Sequence, residues 1–384
     1  MINLNKIDKS LLDSVRSMES KSSEINCLVF SDYKNILSLE FYNNFKIIQK
    51  FPFINAFSIV ATPETIINLT NNKSVKYISS QTKVSTMINV SKKIMGTDYF
   101  YNQGIYGDNI TIAVIDTGIK PHLDFTMPTN RIIKFIDLVN YNILPYDDNG
   151  HGTFVAGIAG GNGIVSNYKY SGIAPKCNIL SIKTLDENGE TGAVKILEAM
   201  QWVYDNKERY NIAVVCMSFG SEPIGRNDPL KVGAEALWSK GIVVVAAAGN
   251  SGPSEGSIKS PGISTKIITV GGLDDHRNVK DEFNKNKFTI ADFSSRGPAY
   301  NFYKPDLVTP AVDIISLSIG DKFYTKMSGT SVATPMVAGL CALIKEKYNK
   351  FTPDQIKSYI LRNCNPIINN RNFEGFGYPN FEIY

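Results

Sequence analysis

The sequence predicts an α/β domain on a parallel sheet, preceded by a small α+β unit, and three observations predict it. From Asn109 onward, short and nearly all-apolar segments alternate with segments of helical period. Up to about residue 80, strand-like runs enclose only two helix candidates. Between the two patterns, Gln81 to Asn89 is polar and has no helical periodicity, so it reads as a linker. The division expected from this is 1–85 and 86–384.

In the first segment, "INCLVFS", "ILSLEFY", "FKIIQKF", "AFSIVAT" and "VKYISS" read as strands. The helix candidates are "KSLLDSVRSME" and "PETIINLTN", and Thr62-Pro63-Glu64 opens the second as a helix start should. In the second segment the strands are "ITIAVIDTG", "NILSIKTL", "IAVVCMSFG", "GIVVVAAAGN" and "KIITVGGL". They carry apolar residues on both faces and so are expected to be buried on both. "TGAVKILEAMQWVYDN" and "DPLKVGAEALWSKG" place apolar residues at i, i+3, i+4 and i+7, as crossover helices require. "SVATPMVAGLCALIKEKY" and "TPDQIKSYILRNC" add two C-terminal helices. Ligands of such sheets bind at the carboxyl ends of the strands, and chemistry is expected there.

Composition narrows the function classes. The 384 residues are 43% hydrophobic and 20% charged, enough for a large core, and the net charge of +4 is small for this length. No Lys/Arg run is dense enough for a nucleic-acid groove or a membrane patch, so neither partner is expected. The first 25 positions alternate polar and charged residues without a signal-peptide apolar core, and no uninterrupted apolar run is long enough for a transmembrane helix. Cys27, Cys177, Cys216, Cys341 and Cys364 are odd in number and lack C-x-x-C spacing, which argues against a disulfide framework and against zinc. A cytoplasmic or other intracellular location is expected on this basis.

Only His122, His151 and His276 could supply an imidazole base. His151 stands between glycines at the start of an apolar helical run in "DDNGHGTFVAGIAGG", which leaves room for another chain to approach the ring. Asp116 ends the apolar strand "TIAVID", where a buried carboxylate needs a partner. It is either a turn residue before Thr117-Gly118 or the acceptor of a histidine Nδ1–H. Asn250 in "AAAGNSG" is either a turn residue or a donor to a developing oxyanion. Ser331, in "MSGTSVATPMVAGL", lies at the start of a helical run, where Ser and Thr usually cap and where a nucleophile also finds free N–H groups and a favourable dipole.

With Asp116, His151, Asn250 and Ser331 in that order, the motifs "VIDTGI", "NGHGTFVAG", "AAAGNSG" and "GTSVATPMVAG" closely resemble the subtilisin family of serine proteases. The resemblance runs from about Asn109 to the neighbourhood of Cys364, with "SGIAPKCNILSIK", "FSSRGP" and "KPDLVTPAVDI" in support. It implies a subtilisin-like parallel sheet flanked by helices and a ferredoxin-like N-terminal propeptide. That propeptide would act as an intramolecular inhibitor of a zymogen, with self-cleavage near Gln81–Ile88. It further implies protein or peptide substrates and an acyl-enzyme mechanism with Ser331 as nucleophile, His151 as base, Asp116 as its partner and Asn250 as oxyanion donor. An extended peptide would lie between Gly189-Glu190-Thr191 and Ser218-Phe219-Gly220. Ala247 and Gly249 would belong to an S1 wall running from Ala246 to Gly249, and Ala193 and Phe219 would lie near S4. The alternative is a catalytically silent regulatory or binding protein on the same fold.

The chain departs from its relatives at several positions. Phe154 and Met336 stand where relatives often have histidine, and the two are expected to touch. Lys259 stands where many relatives have the glycine that floors S1, so its ammonium either points to solvent or enters the pocket. Asp124 resembles the family's calcium-binding aspartate, while "GNGIVSNYKYSG" offers no clear further side-chain ligands. No metal or other cofactor is expected in the chemistry, and calcium is left open as a stabiliser and in no other role.

Overall fold

The computed structural model describes residues 3–8, 11–12, 15–16, 24–31, 45–52, 55–80, 90–276 and 285–381. The strand expected over 36–42 and the linker with its cleavage region over 81–89 lie outside these residues, as does much of the helix expected over 9–19. The chain divides into two compact units, Met1–Thr86 and Met87–Tyr384.

In the first unit, β1 (Ile25–Ser31), β2 (Phe45–Phe51), β3 (Ala56–Ala61) and β4 (Val75–Ser80) form an antiparallel sheet in the order β2-β3-β1-β4. Its core takes Cys27 and Val29 from β1, Phe57 and Ile59 from β3, and Ile66 and Leu69 from α1 (Pro63–Thr70). Pro63 sits in the first turn of α1, where a missing N–H costs nothing, and Thr62 caps it by accepting from the Thr65 N–H.

The second unit begins with α2 (Val90–Met95) and α3 (Asp98–Tyr101), then alternates strand and helix. β5 (Thr111–Asp116), α4 (Leu123–Thr126), β6 (Ile132–Asp137), α5 (His151–Gly160), β7 (Asn178–Lys183), α6 (Ala193–Asn206) and β8 (Ile212–Met217) are followed by α7 (Pro229–Ser239), β9 (Val243–Ala247) and β10 (Ile268–Asp274). Strands β6, β7, β5, β8, β9, β10 and β12 (Leu307–Pro310) run parallel in that spatial order, and β11 (Thr289–Ile290) closes the β10 edge antiparallel. A hairpin of β13 (Ile314–Leu317) and β14 (Tyr324–Met327) leads into α8 (Thr330–Lys347), and α9 (Pro353–Arg362) follows.

The parallel strands are buried along their whole length in β5, β8 and β9, which explains why they read as continuous apolar runs. α8 has no polar face for its first fifteen residues and threads the core, so its burial was legible only as an apolar run. The edge strand β6 and the short strands β11 to β14 were not foreseen. β6 mixes buried and exposed residues without regular alternation, and the others are too short for a periodic signal. Among the described residues, no helix is long and apolar enough to cross a membrane. The five cysteines are free thiols, and four of them are buried.

Candidate active site

β5 ends in Asp116, which is fully buried. A buried carboxylate must be paired or hydrogen-bonded, and its Oδ1 accepts both the Thr117 N–H and His151 Nδ1, each at 2.8 Å. Its Oδ2 is buried and makes no hydrogen bond among the described residues. Asp116 thus makes both the local turn bond to Thr117 and the bond to His151.

His151 opens α5 directly after Gly150, whose φ of 98° is in the left-handed region that glycine tolerates. The helix start is fixed by Asp147, which accepts the Gly150 N–H at 2.8 Å, the Thr153 N–H at 2.8 Å and the Thr153 hydroxyl at 2.6 Å. Asp147 also accepts the Thr117 hydroxyl at 2.9 Å, and that hydroxyl accepts the Gly152 N–H at 2.8 Å. The turn that carries Asp116 and the helix that carries His151 are therefore stitched together. Gly152 makes the approach possible, since a Cβ there would lie 2.3 Å from the Gly118 carbonyl oxygen. Asp147, Thr117 and Thr153 were missed in the sequence. An Asp just ahead of a helical run is a capping signal that could have found the first of them.

The His151 side chain retains 27% exposure. Burial works to lower its pKa, but the charge of Asp116, the hydrogen bond that Asp116 accepts and the charge of Asp147 together outweigh burial and raise it above 6.5. The other two histidines are engaged elsewhere. His122 Nδ1 accepts the Asp124 N–H at 3.1 Å, and His276 Nε2 pairs with the Thr289 hydroxyl at 2.8 Å.

Ser331 is the second residue of α8 and makes no capping bond. The N-cap is Gly329, which has no side chain to cap with, so the reading of Ser331 as a cap is corrected. The hydroxyl is left partly exposed, and its backbone N–H, in the first turn, makes no hydrogen bond among the described residues. Asn250 follows β9 on the surface. Its Oδ1 accepts the Thr330 N–H and the Thr330 hydroxyl, both at 2.9 Å, and its Nδ2 makes no hydrogen bond among the described residues. A Cβ placed on Gly329 would lie 3.1 Å from Ser331 Oγ and 3.3 Å from Asn250 Nδ2. Hydroxyl and amide therefore flank one point. The role of Thr330 was not foreseen, because a second Thr/Ser beside Ser331 carries no separate signal.

Gly189-Glu190-Thr191 lies on the loop between β7 and α6. The Glu190 N–H and carbonyl are both committed to Asp186, at 2.9 and 3.0 Å, and the Gly189 N–H donates to the Asp186 carbonyl at 3.1 Å. Ser218, Phe219 and Gly220 leave the end of β8, with Ser218 buried and Gly220 exposed. Ala247 ends β9, and Gly249 follows at φ 107°. The stem of Lys259 lies against both Gly220 and Gly249, where a Cβ would approach it to 2.6 and 2.4 Å respectively. Its ammonium turns away to pair with Glu222, which is exposed. Lys259 is therefore neither a solvated lysine nor one with its charge in the pocket: the methylenes occupy the crevice and the charge sits on the rim.

Phe154 and Met336 are both fully buried in one core, on α5 and α8. Asp124 is buried, and its carboxylate accepts the Gly163 N–H, the Val165 N–H and the Tyr324 hydroxyl at 3.1, 3.0 and 2.7 Å. Donors thus point where a cation would sit, and this set does not fit calcium. Among the described residues, no group of three or more His, Cys, Asp or Glu is arranged to hold a metal.

An Asp–His pair at the carboxyl end of a parallel strand, with a serine hydroxyl and an amide donor flanking one point, is the layout of a serine hydrolase. Residues 107–378 match the Subtilase family, and the chain belongs to that family of serine proteases. It is 37% identical over 341 residues to the serine protease AprX of Bacillus subtilis (strain 168), covering 82% of this chain and 75% of that one. It is 30% identical over 370 residues to the M-protease of Shouchella clausii (strain KSM-K16), covering 95% and 88%. Among solved structures, sphericase superposes with a TM-score of 0.62 at 26% identity, covering 78% of this chain and 99% of that one. A cold-adapted subtilisin-like proteinase gives 0.58 at 28% identity, covering 72% and 91%. The fold is thus subtilisin-like, a mostly parallel sheet flanked by helices, and the chain is a serine-type peptidase acting on protein substrates.

Proposed function

We propose that the chain is an endopeptidase that works through Asp116, His151 and Ser331, with Asn250 as oxyanion donor. The observation that carries this reading is the convergence of Ser331 Oγ and Asn250 Nδ2 on the point beside Gly329, together with the 2.8 Å Asp116–His151 bond. Ser331 Oγ attacks the peptide carbonyl carbon while its proton passes to His151 Nε2. The oxyanion is held by Asn250 Nδ2 and the Ser331 N–H, near the positive end of α8. Collapse of the tetrahedral intermediate breaks the C–N bond as His151 returns the proton to the leaving amine. Water repeats the sequence on the acyl-enzyme and frees Ser331. Asp116 fixes the imidazole tautomer and stabilises the imidazolium without taking its proton.

The substrate is read as an extended strand between Gly189–Thr191 and Ser218–Gly220, with P1 beside Ala247 and Gly249. The first unit is read as an inhibitory propeptide, released by cleavage within 81–88. Free thiols are the support for a reducing, cytoplasmic location. An active chain recovered from the medium of intact cells would count against that location.

The test is purification of the wild type beside Ser331→Ala, with intact mass and casein cleavage measured on both. The wild type is expected to lose its N-terminal unit and cut casein, and Ser331→Ala to do neither. A full-length wild type that leaves casein uncut overturns both the protease and the zymogen reading and leaves the silent binding protein in their place.

A further inference from the structure

A cavity of about 730 Å³ opens in the second unit where α2 and α3 meet the start of β6 and the loop that follows α5. Two of its lining cations are more than nine-tenths buried: Lys92 is 6% exposed and Arg131 8%. Neither is in an ion pair among the described residues. Lys92 Nζ donates to the neutral Ser171 hydroxyl at 2.5 Å and lies 5.2 Å from the centre of the Tyr101 ring. Arg131 donates only to carbonyls, those of Gly160, Cys177 and Asp124, at 2.6 to 2.7 Å. The guanidinium Nε–H is not among these bonds. The carboxylates on the lining are at the exposed rim, where Asp108 already pairs with Lys176 at 3.8 Å.

Burying a charge without a counter-charge is costly, and the usual remedy is a partner of opposite sign. Here two buried positive groups line one cavity, and the charges of Asp98 and Asp124 reach Lys92 and Arg131 respectively only beyond ion-pair distance among the described residues. Burial pushes the Lys92 pKa down to about 8 against the opposing charge of Asp98, which is the response of an ammonium still lacking a close counter-charge. Asn178 adds a side-chain amide to the same lining, while the Asn162 amide is turned to the Met127 carbonyl, and the volume suits a small molecule.

We propose that this cavity binds a small oxyanion, a phosphate or carboxylate group, held between the Lys92 ammonium and the Arg131 guanidinium. Lys92 comes from the first helix of the unit, and Arg131 bonds the last carbonyl of the helix that begins with His151. A bound anion would clasp these two parts together, raising stability with ligand concentration.

The test uses the full-length Ser331→Ala chain, which cannot process itself on the reading above. Its melting temperature is followed with inorganic phosphate and, in a second arm, citrate, each against chloride at matched ionic strength. A saturable rise of roughly 3–5 °C at a hundredfold excess over Kd is expected, and it should vanish when Lys92→Met is added. Response to phosphate alone assigns a phosphate ligand, and response to citrate alone a carboxylate. Equal shifts in parent and Lys92→Met, or no shift above chloride, overturn the proposal. If Lys92→Met does not melt cooperatively, crystals of the parent soaked in the responding anion decide: density between Lys92 and Arg131 supports the site, and an empty cavity overturns it.

Discussion

Thr330 holds the side-chain oxygen of Asn250 by two hydrogen bonds, from its N–H and its hydroxyl, both 2.9 Å long. The amide is thereby pinned oxygen-inward, and its N–H₂ faces the point flanked by Ser331 Oγ. Replacing Asn250 with alanine is expected to lower kcat by about 10²–10³ with little change in KM, the range known for such a donor in subtilisin itself. Thr330→Val keeps the N–H bond and loses the other. Its loss in kcat should be smaller, roughly tenfold, the cost of about one hydrogen bond. Equal kcat for Asn250→Ala and wild type on a peptide anilide would remove Asn250 from the oxyanion role.

The raised pKa of His151 has opposite signs for stability and for activity. Folding favours the imidazolium, so its contribution to stability is fully present below about pH 6.5, the unfolded value, and is lost as pH rises through the folded value. Activity needs the neutral base. The acid limb of kcat/KM should therefore lie above pH 6.5. Asp116→Asn removes the charge that raises the pKa, so the limb should move to lower pH while kcat falls about 10⁴-fold. A limb that stays in place would show that Asp116 does not govern His151.

The Lys259 stem fills the crevice between Gly220 and Gly249, and its ammonium is latched by Glu222 on the rim. Lys259→Gly should open that space and raise kcat/KM for large apolar P1 residues relative to small ones, by roughly 10- to 100-fold. Glu222→Gln releases the ammonium and should improve acidic P1 residues instead. Peptide-library profiles of the two variants that match wild type would mean that P1 never reaches this crevice.

Gly152 has no room for a methyl group against the Gly118 carbonyl. Gly152→Ala should push α5 away from the acid turn, costing about 1–3 kcal/mol of stability and reducing kcat with it. Thermal melting and turnover on the same preparation check both effects, and a variant with wild-type values would show that the helix can shift freely.

At Asp124 two N–H groups and a phenol already satisfy the carboxylate. A chelator should leave the melting temperature of the purified chain unchanged. A fall on chelation that calcium reverses would mean that these donors rearrange to admit the ion.

The groups proposed to react were legible in the sequence because each breaks a local rule. Asp116 ends a strand that is otherwise apolar, His151 stands between glycines, and Asn250 follows a run of alanines. Groups that obey local rules were silent. Asp147 and Thr117 look like loop residues, and only the folded chain brings the Asp147 carboxylate to Thr117 and Thr153 at once. Lys259 had two readings in the sequence, charge outward or charge inward. The structure divides the residue between them, because a lysine stem and its ammonium obey different forces. The long buried strands were evident from composition, whereas β6, which mixes buried and exposed residues at the sheet edge, was not.

Gly329 has φ 153° and ψ 161°, a conformation that only glycine occupies readily. The volume a side chain would claim there is the volume that hydroxyl and amide both face. On the proposed mechanism, reactivity at this site depends on a vacancy as much as on the groups around it. Any mutation that adds atoms at 329 would leave every polar group in the chain intact and still silence the enzyme, as a key broken off in its lock does.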